Sequence, residues 1–274
     1  MSSPKHVVVC RGFDDMKSPD LRFLEESAKL GDLTVLVSTD QMIQRLTGKA
    51  PKFPMAERLY YLNAVRFVGR VIPSDDQTAP DGLPEIPGLR PDIWTDIETT
   101  ANPARAEFAC KSNIIYRVFK KEELKGFPDF LPAPSASNAI KVVVTGTFDW
   151  LHSGHVRFLE EASHYGDLHV FVGQDANIRL LKGEGHPLLP EAERCYAVGS
   201  IKFVRQARIA SGLGWLDAEP DIQNLKPDIY AVNEDGDKGG KRGYCEKHGI
   251  QYLVLKRVPA PGLPRRTSTD LRGF

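Results

Sequence analysis

The two halves of this chain are copies of one another. Residues 7–47, VVVCRGFDDMKSPDLRFLEESAKLGDLTVLVSTDQMIQRLT, align without a gap on residues 142–182, VVVTGTFDWLHSGHVRFLEEASHYGDLHVFVGQDANIRLLK, and 19 of the 41 positions are identical. The match resumes between AERLYYLNAVRFV (56–68) and AERCYAVGSIKFV (192–204), between LRPDIW (89–94) and LKPDIY (225–230), and between GFPDFLPA (126–133) and GLPRRTST (262–269). A long internal repeat is a strong constraint, because each half must fold as the same unit. The expected organisation is two domains, 1–137 and 138–274, joined through the Pro- and Ser-rich FLPAPSASNA at 130–139.

Each copy reads as alternating strand and helix. AIKVVVTG is a short β-branched apolar run, as a buried parallel strand requires. In GHVRFLEEASHYG, Val156, Leu159 and Ala162 follow helical spacing, and Gly166 suits a helix stop. LHVFVG, DIYAV and YLVLK are further strands, and EAERCYAVGSI a further helix. Such alternation predicts right-handed crossovers and a parallel sheet, with ligands outside the strand carboxyl ends.

The totals exclude several classes. Basic and acidic residues number 36 each in 274, so no broad polyanion surface and no nucleic-acid partner is expected. The cysteines, Cys10, Cys110, Cys195 and Cys245, are scattered, which argues against a disulfide framework or a zinc knuckle. No signal peptide and no membrane span is evident, and the expected location is cytoplasmic.

One motif stands out. TGTFDWLHSGH (145–155) places His152 and His155 around Gly154 where the first strand of the second copy passes into a helix. A helix start presents backbone N–H groups and about half a positive charge to an anion. Gly154 lets that anion approach the backbone, and two imidazoles add donors suited to a leaving pyrophosphate. Gly146 keeps backbone bare upstream, Lys182 in LLKGEG is a candidate cation, and PRRTST (264–269) supplies guanidinium groups and hydroxyls before a candidate helix, STDLR. His164, His169, His186 and His248 read as packing or surface residues. Trp150, Tyr196 and Trp215 either shape an acceptor pocket or pack in the core.

The first copy is a control within one chain. Phe148 matches Phe13, Leu159 matches Leu24 and Gly166 matches Gly31. By contrast Gly146 faces Arg11, His152 faces Lys17, Gly154 faces Pro19, His155 faces Asp20 and Lys182 faces Thr47. Pro19 removes an N–H donor, and Asp20 puts negative charge where an anion would sit. The first copy is therefore expected not to bind a triphosphate. Asp149, Asp175 and Arg194 are retained as Asp14, Asp40 and Arg58, so a structural role stands beside a ligand contact for each.

FDWLHSGHVR, AERCYAV and the terminal RRTSTDLR resemble the H-x-G-H cytidylyltransferase-like nucleotidyltransferase superfamily. The tandem layout resembles ethanolamine-phosphate cytidylyltransferase, with a degenerate first copy. The resemblance implies an α/β fold: two tandem Rossmann-like parallel-sheet domains forming an intrachain pseudo-dimer, with a homodimer of such chains left open. It implies transfer of CMP from CTP to a phosphorylated alcohol, amino alcohol or sugar, with release of pyrophosphate. The alternatives are adenylyl transfer from ATP, or nucleotide binding without turnover. Mg2+ would accompany the triphosphate. His152, His155, Lys182 and Arg266 would be catalytic. Thr145, Gly146, Thr147, Phe148, Gly154, Arg194, Thr267, Ser268 and Thr269 would bind nucleotide, and Asp149, Trp150 and Lys182 the acceptor. The compressed RRTST departs from the spaced R-T-x-G-I-S-T form and leaves open which arginine touches phosphate.

Overall fold

The structure, a computed structural model, describes residues 3–74, 81–132, 136 and 138–267. Ser268, Thr269 and the candidate helix STDLR lie outside the described residues, apart from the first part of the segment that leads to them. The chain divides into two compact units, Met1–Gly126 and Phe127–Phe274.

The first unit runs β1 (His6–Arg11), α1 (Ser18–Ala28), β2 (Asp32–Ser38), α2 (Asp40–Thr47), α3 (Met55–Ala64), β3 (Arg70–Ser74), β4 (Ile93–Ile97), α4 (Pro103–Lys111) and β5 (Ile115–Phe119). The second runs β6 (Lys141–Gly146), α5 (Ser153–Ser163), β7 (Asp167–Val172), α6 (Asp175–Lys182), α7 (Glu191–Gly199), β8 (Gln206–Ile209), α8 (Glu219–Leu225), β9 (Ile229–Asn233), α9 (Lys241–His248) and β10 (Gln251–Leu255). Each builds a five-stranded sheet, in the orders β3-β2-β1-β4-β5 and β10-β9-β6-β7-β8. All pairings are parallel. Both units are thus Rossmann-like α/β domains. Among the described residues no helix is long and apolar enough to cross a membrane.

The repeat carries through to register. Val7 pairs with Leu33 in the first sheet, and Val142 pairs with Leu168 in the second. Val7 to Val9 and Val142 to Val144 are all fully buried. Helices on both faces of a parallel sheet leave its central strand no solvent side, hence a continuous apolar run instead of alternation. The identical RFLEE segments have a second cause. Arg22 bonds Glu25 and Glu26 one turn on, and Arg157 does the same with Glu160 at 3.0 Å and Glu161 at 2.8 Å.

Gly166 is not the helix stop its position suggested. α5 ends at Ser163, with His164 as a right-handed C-cap. Gly166 sits at φ +153°, where an added Cβ would stand 2.3 Å from the Ile140 carbonyl oxygen. A Cβ added at Gly31 would likewise stand 2.0 Å from the Lys5 carbonyl oxygen. The glycine is retained because the chain entering the second strand must cross close under the first.

The segment after Gly126 belongs to the second unit. Phe130 stacks on Tyr196 of α7 with centroids 5.3 Å apart, and Phe127 lies 5.5 Å from the same ring. A Cβ at Gly199, one turn along α7, would meet Phe130 at 2.7 Å. Tyr196 therefore packs under this strap instead of shaping an acceptor pocket.

Candidate active site

The Val-rich strand β6 ends at Gly146, and the chain then turns sharply before α5. Phe148 takes φ +50°, as does Phe13 in the first unit. Such a backbone is costly for an aromatic residue and persists only where its surroundings hold it. The first unit makes the same turn with Arg11 in place of Gly146, so what Gly146 permits is the position of the Phe148 ring, 2.9 Å from where a Cβ would stand. The ring so placed meets His155 edge-on, at 5.4 Å between centroids. Gly146 thus serves the placement of His155 as well as leaving backbone bare.

His152 is the N-cap of α5. Its Nδ1 accepts the Gly154 backbone N–H at 3.1 Å. That bond requires Nδ1 to be unprotonated, so the ring proton is on Nε2 and the imidazole is a donor there. His152 is 2% exposed; His155 is half-buried one turn-position on, with ring centroids 4.0 Å apart. Burial pushes the His152 pKa far below the usual histidine range, helped by His155, Arg257 and Arg266. Burial, with the Arg257 charge next, pulls His155 down to about 4. Both rings are neutral near pH 7.

Cations surround them. Lys182, at the end of α6, donates to Thr147 Oγ1 at 2.9 Å and so reaches over the turn between β6 and α5. The Arg266 carbonyl oxygen lies 3.3 Å from where a Cβ of Gly154 would stand, which places the RRT segment against the start of α5. Gly154 is bare because the His152 ring and this segment both close on it. Thr145 Oγ1 bonds the Tyr230 hydroxyl at 2.7 Å, tying β6 to β9. Trp150, within the motif, is half-buried. Trp215 is 51% exposed, its indole over Gly239 and Gly240.

Two residues named from the sequence are drawn away from ligand and into the scaffold. Arg194 is wholly buried. Its guanidinium donates to the carbonyls of Leu189, Thr147 and Gly173 and to Asp175, at 2.6–2.9 Å. Asp149 is 5% exposed and accepts the Leu188 and Leu189 amides at 2.7 and 3.0 Å. The first unit repeats both arrangements. Arg58 donates to the Phe53, Gly12 and Ser38 carbonyls and to Asp40, and Asp14 accepts the Lys52 and Phe53 amides. Their retention in a copy without the histidines agrees with holding loops together instead of touching nucleotide or acceptor.

The first unit also fills its own counterpart site. Arg11 and Asp20, at the places of Gly146 and His155, form an ion pair at 3.5 Å. Asp20 also accepts the Lys17 backbone N–H at 3.0 Å. The start of α1 carries a built-in carboxylate where α5 carries an imidazole.

Arg257, just past β10, was not singled out from the sequence. It donates to the Arg266 carbonyl at 2.9 Å and pairs with Asp235, which follows β9. It stands in an ordinary KR pair with no motif around it; only β9 and β10 folding alongside β6 bring it here. Among the described residues no cluster of three His, Cys, Asp or Glu side chains is placed to hold a metal.

A parallel α/β sheet whose central strand ends at an imidazole-capped helix, ringed by Lys and Arg, is suited to hold the phosphates of a nucleotide. Residues 143–254 match the family described as Cytidylyltransferase-like. An FAD synthase of Methanospirillum hungatei is 38% identical over 136 residues, 48% of this chain and 83% of its own length. An FAD synthase of Archaeoglobus profundus is 41% identical over 120 residues, 43% of this chain and 74% of that protein. The crystal structure of a lipopolysaccharide core biosynthesis protein from Thermoplasma volcanium is 26% identical, with a TM-score of 0.38, covering 45% of this chain and 99% of its own. The chain belongs to the cytidylyltransferase-like nucleotidyltransferase superfamily and is a nucleotidyltransferase.

Proposed function

We propose that the second unit transfers the AMP part of ATP to the phosphate of flavin mononucleotide, releasing pyrophosphate. The observation that carries this is the identity with FAD synthases across most of their length. It favours the ATP alternative over the CTP reading that the family resemblance implied. An acceptor phosphate oxygen attacks the α-phosphorus and forms a P–O–P bridge. The bond from that phosphorus to the bridging oxygen breaks, and pyrophosphate leaves with the electron pair.

Neutral imidazoles suit this step. They offer N–H donors to phosphoryl oxygens on which charge accumulates, without giving up a proton. His152 is proposed to donate through Nε2 and His155 beside it, with Lys182 and Arg266 neutralising triphosphate charge. Gly146, Thr147, Gly154 and Thr267 are proposed to line the nucleotide, with Ser268 and Thr269 beyond the described residues assigned from sequence alone. Mg2+ is proposed to arrive on the triphosphate, where it neutralises phosphate charge; such an ion needs one or two carboxylates and no protein cage.

The test is FAD formation and pyrophosphate release from flavin mononucleotide with ATP. His155→Ala should cost about 3 kcal/mol of transition-state stabilisation, roughly 100-fold in rate. No FAD from the wild type, or unchanged turnover in the variant, ends this reading. Cytidylyl transfer from CTP to a phosphorylated alcohol remains a second reading because of the family matched, and CTP with a panel of phospho-acceptors tests it in the same assay.

A further inference from the structure

Residues 217–255 answer residues 81–119 without a gap, so Asp217 stands at the place of Asp81 and Lys241 at the place of Arg105. In the first unit this acid and this base are both engaged. Arg105 donates to the buried Asp96 at 2.7 Å, and its Nε lies 3.9 Å from Asp81. Tyr116 donates to Asp96 at 2.8 Å, and Asp81 accepts Asn102 Nδ2 at 2.7 Å. The second unit has lost those partners, with Val232 at the place of Asp96 and Lys238 at the place of Asn102. Among the described residues the Lys241 ammonium has no hydrogen bond and no ion pair; it lies 6.0 Å from the Tyr230 ring centroid. Lys241 and Asp217 are both half-buried. Burial lowers the pKa of the one and raises that of the other. Asn177 Nδ2 donates to Asp217 Oδ2 at 2.9 Å. The Trp215 indole lies 3.3 Å from where a Cβ of Gly240 would stand, which brings the loop carrying Asp217 against the start of α9. The Tyr230 hydroxyl bonds Thr145, the first residue of TGTFDWLHSGH. The acid and the base therefore sit beside the strand that leads into the histidine turn. A half-buried charge carries a desolvation cost that a partner offsets. A phosphate suits Lys241 alone, because Asp217 repels it. The partner that suits both offers an acceptor to Lys241 and a donor to Asp217, side by side. That is the edge of a heterocyclic ring, with an N–H next to a carbonyl or a ring nitrogen.

We propose that Asp217 and Lys241 read the hydrogen-bonding edge of a planar heterocycle held by the second unit, the carboxylate accepting an N–H and the ammonium donating to the acceptor atom beside it. The source of the ring rests on the function proposed above. The flavin presents an imide edge, an N–H between two carbonyls, and this is the edge assigned to the pair. Adenine presents an amino group beside a ring nitrogen, and the experiment separates the two. The first unit reads no such edge, because Asp96 already holds its cation.

Fluorescence titration of the full chain with flavin mononucleotide and with its N3-methyl derivative tests this, beside calorimetric titration with ATP and with tripolyphosphate. Wild type should bind flavin mononucleotide about tenfold more tightly than the N3-methyl form, the scale of one lost charge-assisted hydrogen bond. In Asp217→Asn, Asn177 holds the amide oxygen, so an N–H group meets the N–H of the ligand. That variant should bind flavin mononucleotide about tenfold more weakly and lose its preference over the methylated form. Lys241→Met should weaken flavin mononucleotide to a similar degree, and both variants should bind tripolyphosphate as wild type does. ATP weakened in both variants with the flavin unaffected supports the pair as an edge reader and assigns it to adenine. Flavin mononucleotide and ATP both bound within about twofold of wild type by both variants overturns the proposal. So does loss of tripolyphosphate binding in Lys241→Met, since Lys241 would then be a phosphate contact. Melting curves identify a misfolded Asn variant, in which case Lys241→Met, at the first residue of α9, decides. A wild type that binds ATP but no flavin, with ATP weakened in both variants, sinks only the acceptor reading. FAD made by both variants with the rate and KM of wild type sinks only this proposal.

Discussion

Arg11 and Asp20 form an ion pair in the first unit at the places that Gly146 and His155 hold in the second. The pair puts a guanidinium and a carboxylate where the other unit has bare backbone and an imidazole. An anion arriving at α1 would meet Asp20 and find no N–H at Pro19. Titration with ATP should therefore give one nucleotide per chain, abolished by His152→Asn with His155→Asn. A stoichiometry of two would contradict this.

The bond from the Gly154 amide to His152 Nδ1 separates the cap from the chemistry. His152→Ala loses that cap, worth about 1 kcal/mol, and the packing of a buried ring as well. His152→Asn offers an acceptor suited to an N-cap, so its melting temperature should lie above that of the Ala variant. Both should lose about 100-fold or more in turnover, because neither carries the Nε2 donor. Equal melting temperatures would show that the cap contributes nothing.

The histidine pair also makes stability depend on pH. The unfolded chain takes up a proton on each ring near the ordinary pKa of 6.5, whereas folded His155 resists protonation until about 4. Between those values the unfolded state binds more protons, so stability rises with pH and falls on acidification. The slope is about 1.4 kcal/mol per pH unit for each ring held neutral. Denaturant midpoints measured from pH 7 to pH 4 should drop along this window. His155→Asn should flatten the curve, and an unchanged slope would refute the assignment.

Arg194 and Arg58 share one geometry but serve different units. Replacing either with Lys leaves buried carbonyls without donors, a change costing about 3–5 kcal/mol for a broken buried network. Arg58→Lys should lower the melting temperature while turnover of the folded protein stays at the wild-type level. Arg194→Lys should lower both, because its guanidinium holds the Thr147 carbonyl in the turn that carries the site. Turnover unaffected in Arg194→Lys would show that this anchor does not position the site.

How much was legible in advance depended on range. The repeat, the sheet and the strand-to-helix turn followed from local pattern, because β-branched runs and helical spacing act over a few residues. So did the pairing of His152 with His155, since positions three apart at a helix start must neighbour one another. The duplicated copy separated scaffold from site by the same local means, and Asp149 and Arg194 fall on the scaffold side that comparison allowed. Gly166 was recognised as necessary but for a different reason, because its close neighbour, Ile140, lies on another strand.

The sequence alone determined two parallel α/β units, one with an imidazole pair at its first helix and one without. Only the tertiary structure decided which cations meet that pair, how the His152 ring is oriented, and that the segment from Phe127 to Phe130 packs on α7. Arg257 and Arg266 reach the pair because β9 and β10 fold back beside β6, whereas Phe130 meets α7 because the segment after Gly126 folds onto Tyr196. Contacts between residues distant in the chain are set by the packing of whole elements, and no short stretch of sequence carries them.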